Sequence, residues 1–164
     1  MKFNYYGFKA IYVHEMNRFY RTVGQSLLSP VISTSLYFVV FGSVIGGYIQ
    51  KIDGVSYGSY IVPGLLMLTL LTQSISNTSF GIFFPKFNGT INEILAAPIS
   101  TLETVLAFVG AGATKTLIVG AVIYTTALFF ADVTVKYPML MIFLLVLVSF
   151  TFALFGFLIG VVSK

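Results

Sequence analysis

The segment VGAGATKTL, residues 109–117, sets two glycines ahead of Lys115-Thr116 and invites comparison with a phosphate-binding loop. A P-loop needs glycine directly before its lysine and another five residues earlier, so that main-chain amides can cradle phosphate. Those positions hold Thr114 and Val109, so no ATP site is expected in this chain. His14 is the single histidine and cysteine is absent, which leaves no cluster for zinc, haem or a Ser/His triad and excludes thiol redox chemistry. Neither Asp nor Glu falls within an expected span, so a proton relay lacks its usual residues. Nothing points to nucleic acid, and no cofactor is expected. The energy for any work across a membrane has to come from another molecule.

The elements that hold these residues are mostly hydrocarbon. Hydrophobic residues make up 57%, charged residues 9%, and mean hydropathy is +0.96, too little polar surface to cover a soluble domain. An all-α integral membrane protein is expected: an N-terminal interfacial amphipathic helix over 1–27 and four transmembrane helices at about 30–50, 60–80, 112–131 and 138–162, each near the roughly 20 residues a bilayer requires. In the leader, Tyr5, Phe8, Tyr12, Met16, Phe19 and Val23 share one helical face while His14, Arg18, Arg21 and Gln25 line the other. Such a helix suits the membrane surface, its arginines meeting lipid phosphate; packing on the rest of the chain is the other reading. Pro30 is taken as the first helical turn of the first span.

Lys2, Lys9, Arg18 and Arg21 precede that span and mark the amino end as cytoplasmic in a cell membrane, inner or plasma. Four crossings then put Lys86, the 81–104 connection and Lys164 on the same side, with Lys51 and Lys136 outside. Lys115 is expected near the cytoplasmic boundary, either snorkelling to water or facing an internal pathway. Gly42-x-x-x-Gly46 and Gly156-x-x-x-Gly160 favour close helix packing within the chain. Gln73, Ser74, Ser76, Asn77, Thr78 and Ser79 form a polar cluster that could be either a hydrogen-bonded interface or a hydrophilic lining.

Between the second and third spans lies INEILAAPIS, residues 91–100, with an acid, an apolar run and a helix-stopping proline at Pro98. It is too short to cross a bilayer and long enough for one or two helical turns.

Taken in order, EMNRFYR, QSLLSPVISTSLYFVVFGSVIGG, SYGSYIVPGLLML and INEILAAPISTLETVLAFVGAGATKTLIVG resemble the permease subunits of ABC-2-type transporters through essentially the whole chain. The resemblance implies a single permease domain over 1–164 that pairs with a second copy, contacts membrane lipid and docks a cytoplasmic ATP-binding subunit, which binds and hydrolyses the ATP. Glu15, Arg18 and Arg21 would belong to the leader at that interface, and residues 86–101 would hold a coupling helix whose Asn92, Glu93, Ile94, Leu95 and Pro98 meet the ATPase. Lys115, Gln73 and Asn77 are candidates for a pathway or interface. The family normally has six spans, so four imply a fragment or a shortened variant. The expected function is outward movement of an amphiphilic small molecule, a lipid or a lipid-linked polysaccharide. The alternative is a non-transporting membrane scaffold or assembly subunit.

Overall fold

A computed structural model describes residues 3–41, 51–52, 55–131 and 135–163. The described elements are α1 (Tyr5–Arg21), α2 (Val23–Val39), a two-residue antiparallel pair β1 (Lys51–Ile52) and β2 (Val55–Ser56), then α3 (Tyr57–Phe87), α4 (Ile91–Ala96), α5 (Thr101–Phe130) and α6 (Pro138–Val162). Helices carry the fold, as the composition demands: within lipid a helix satisfies its own main-chain polar groups. Among the described residues, α3, α5 and α6 are long and apolar enough to cross a membrane, and α2 is a shorter apolar helix. The first span expected at 30–50 is described only to residue 41; Gly42-x-x-x-Gly46 and most of the loop after it lie outside the described residues.

Boundaries differ from the sequence reading where proline and glycine act. Pro30 lies inside α2, which begins a full two turns earlier at Val23. A buried proline there leaves the Ser26 carbonyl without its usual amide partner, a cost an interior site tolerates only with supporting tertiary contacts. The leader helix ends at Arg21, where Thr22 turns the chain and donates its hydroxyl to the carbonyls of Arg18 and Phe19. The second span runs through Pro85 to Phe87 before Gly89, at φ 78°, reverses the chain into α4.

α1 packs along its own protein. Asn4 meets Glu103, Tyr12 bonds Thr114 and Glu15 bonds Lys115, so α1 follows α5 in the same direction over several turns. A helix laid across α5 would touch it at one crossing; α1 instead buries Ile11, Glu15 and Phe19 along it. Of the apolar face expected for the leader, Phe19 is buried against the protein and Tyr5 is exposed, while Ile11 and Glu15 complete the buried side.

Small residues fix the remaining register. A Cβ on Gly156 would come within 2.5 Å of the Ile75 carbonyl oxygen, and one on Gly160 within 2.8 Å of that of Ser79, so α6 runs parallel to α3 at backbone contact. Gly112 faces Thr78 and Gly120 faces Leu70, which sets α5 antiparallel to α3. The pair at 156 and 160 therefore serves packing within the chain. α5 is the hub, with Ala107, Ala111, Ala113, Thr116, Val119, Gly120, Ile123 and Ala127 all buried. The directions also put Asn4, α4 and the end of α6 together at one end of the bundle.

Gly156→Leu is expected to destabilise the α3–α6 contact by about 1–3 kcal/mol, as overpacking does. Gly24→Ala, with nothing within 4 Å of the added carbon, is expected to be neutral. Thermal unfolding of the purified protein in detergent compares the two.

Candidate functional site

The end of the bundle that holds α4, together with the middle of α5, is built from four short devices. Ser100 starts α5 with a capping box: its hydroxyl accepts from the Glu103 amide at 3.3 Å, and Glu103 Oε2 accepts from the Ser100 amide at 2.8 Å. The other oxygen, Glu103 Oε1, accepts from the Asn4 amide at 2.5 Å. Asn4 in turn caps α1, accepting from the Gly7 amide at 3.1 Å, while its Nδ2 donates to the Pro98 carbonyl at 3.1 Å. Two helix starts and the loop leaving α4 are thus one hydrogen-bonded unit.

The second device is α4 itself. Pro98 bars its predecessor from helical geometry, and Ala97 is extended at φ −71°, ψ 148°, so the helix stops at Ala96. Ile94 packs against the cluster of Ile11, Ile82, Ala107 and Phe108, anchoring α4 to three other helices. Asn92 and Glu93 are exposed, and Leu95 is 74% exposed. The residues expected to act together therefore divide: Ile94 holds the helix on its own protein, while Asn92, Glu93 and Leu95 face outward.

The third device is ionic. Lys115 is 3% exposed, and its ammonium donates to Glu15 Oε2 at 2.7 Å. It does not snorkel to water; a carboxylate on the neighbouring helix receives it instead. Arg18 Nη2 reaches the same Oε2 at 3.1 Å from one turn along α1. Gly81 makes room for this carboxylate, since a Cβ there would stand 3.3 Å from Oε2. Glu15 Oε1 is buried with no hydrogen-bond partner among the described residues. Glu15 and Arg18, expected together in the leader, and Lys115, expected at a pathway or interface, form one site, whereas Arg21 is exposed and outside it.

The fourth is Lys86, whose ammonium donates to the carbonyls of Gly160 (3.3 Å), Val161 (2.7 Å) and Ser163 (2.5 Å) and so caps the end of α6. The polar cluster of α3 is separate again. Asn77 Nδ2 donates to Gln73 Oε1 at 3.5 Å, both half-buried, and neither touches Lys115. Ser74 and Thr78 turn into the helix packing, Thr78 directly against Gly112, so this part of the cluster is an internal contact surface.

With this geometry in place, the sequence matches the ABC-2 type transporter family over residues 6–164. The chain belongs to that family. It is 38% identical over 156 residues, 95% of its length, to the inner membrane transport permease YadH of Escherichia coli (strain K12), and equally to the proteins of that name from Escherichia coli O157:H7 and Shigella flexneri. The chain spans 61% of the length of those relatives. No solved structure matches it. This ABC-2 family chain is a multi-pass membrane protein, and the long apolar helices agree with the membrane location in its relatives' name.

Breaking the ionic site tests its weight. Lys115→Met leaves a buried carboxylate facing Arg18 alone and is expected to destabilise by about 3–5 kcal/mol, whereas Lys115→Met combined with Glu15→Gln recovers most of the loss. A double-mutant cycle on thermal unfolding in detergent measures the coupling.

Proposed function

We propose that this chain is the membrane-spanning part of a permease that moves an amphiphilic small molecule, a lipid or a lipid-linked polysaccharide outward, driven by ATP hydrolysed on a separate cytoplasmic subunit. The permease acts as a homodimer in contact with membrane lipid, its amino end on the cytoplasmic side. The observation that carries this reading is α4: a six-residue helix fastened to the core by Ile94, yet presenting Asn92, Glu93 and Leu95 to the outside at the end of the bundle. An apolar side chain such as Leu95, exposed on a short helix whose neighbours in sequence Phe87 and Leu102 are exposed too, suits the groove of a partner protein.

The mechanism follows from what α4 is tied to. A shift imposed on α4 passes through Pro98 and Asn4 to the start of α1, through Ser100 and Glu103 to α5, and through the Glu15–Lys115 pair between those helices. The family membership, and the word permease in the relatives' name, support an ATP-binding partner and a transport role. An apolar cavity of about 430 Å³ between α3, α5 and α6, lined by Met67, Tyr124, Tyr137 and Leu144 with Lys136 at hand, supports an amphiphilic cargo.

Leu95→Glu is expected to lower stimulation of the partner's ATPase activity and export at least tenfold while membrane insertion and thermal stability stay unchanged, since the side chain is exposed. Ile94→Glu is expected instead to destabilise the protein. The measurement is ATP hydrolysis and cargo transport by the full permease and its ATPase reconstituted in vesicles; unchanged coupling in Leu95→Glu would favour a non-transporting scaffold role.

A further inference from the structure

We infer that the cavity between α1 and α4 is a receptor for one basic side chain, lysine or arginine, presented by the ATP-binding subunit. The cavity measures about 270 Å³, and its polar lining is His14, Glu15, Thr90 and Glu93. Two carboxylates line it and no lysine or arginine does. Glu93 stands exposed on α4, whereas Glu15 is 2% exposed and brings an oxygen, Oε1, that has no hydrogen-bond partner among the described residues. The two cations that hold Glu15 both bind Oε2, and neither lines the cavity. A buried acceptor left open beside a second carboxylate is matched by a group that carries several donors and positive charge.

The rest of the wall narrows the choice. Ile11, Pro85, Ile94 and Phe108 supply apolar surface, which suits the methylene stem of lysine or arginine behind its charged head. A bare metal ion is the wrong guest, because no group of three His, Asp or Glu residues among those described is placed to hold one. That the basic group comes from the ATP-binding subunit rests on the reading of α4 given above, since Glu93 belongs to the outward side of that helix. The site then gives the docking its charge complementarity, and its guest completes the hydrogen bonding of a carboxylate that also holds Lys115 of α5.

The absence of cysteine from the sequence makes a direct test simple. Thr90→Cys places one thiol in the cavity wall, at a position whose side chain makes no capping bond. In the purified protein in neutral detergent, a cationic methanethiosulfonate reagent is expected to react with it about tenfold faster than an anionic one. The ratio is taken relative to Tyr6→Cys, an exposed position on α1. This preference should fall severalfold with Glu93→Gln, and N-acetylarginine amide should slow the labelling where N-acetylnorleucine amide does not. Equal rates, or a ratio indifferent to Glu93→Gln, would overturn the cation site. Repeating the labelling with the ATP-binding subunit added separates the two readings. Protection without charge preference keeps α4 as the docking helix and removes the cation site; charge preference without protection removes the subunit as the source of the guest.

Discussion

A lysine in the middle of an apolar helix has to be neutralised, and the arrangement of this bundle follows from how that is done. Insertion of such a charge costs about 2.5–3.5 kcal/mol at a span's centre even on lenient scales, and an unpaired buried ion costs more. Glu15 answers Lys115 from α1, which runs lengthwise along α5 with Ile11 and Phe19 buried on either side of the pair. Gly81 on α3 leaves room for the carboxylate, since a Cβ there would press on Oε2 at 3.3 Å. One ion pair thus draws on three helices: α1 and α5 supply the charges, and α3 supplies the space beside them.

The remainder of the packing rests on contact between backbones. Lipid tails are as apolar as leucine, so helices in a membrane gain little from burying large side chains against one another and associate where small residues permit close approach. α6 does this on one side of α3 through Gly156 and Gly160, and α5 on the other through Gly112 and Gly120. α3 is therefore gripped from two sides, and its last turn leads directly into Gly89 and α4. The helix that carries the exposed Leu95 thus follows directly on a rod held at backbone contact by two neighbours.

Much of this could be read from the amino acids. Hydrophobic runs gave the long helices, and Gly156-x-x-x-Gly160 gave a close packing that the structure places on α3. INEILAAPIS marked α4 and its end at Pro98, because proline restricts the residue before it. What escaped was the pairing of distant residues. Nothing in the spacing of Glu15 and Lys115 announces a bond across one hundred positions, although a lysine amid apolar residues is itself a sign that a partner must exist. The capping box is legible in Ser100-x-x-Glu103, although its start lies only two residues beyond the stop at Pro98, so one short stretch carries the signals of two helix ends. Pro30 misled because proline is common at helix starts, and only tertiary contact could carry α2 past it.

The bonds from Lys86 to the end of α6 are made entirely to main-chain oxygens. Every amino acid offers the same oxygen, so this clasp is blind to which side chains stand at 160, 161 and 163. Substitutions in that turn can accumulate without loosening it, subject at residue 160 to the space beside Ser79, while replacement of the single ammonium releases three contacts together. Tolerance on one helix is secured by intolerance at one position of another.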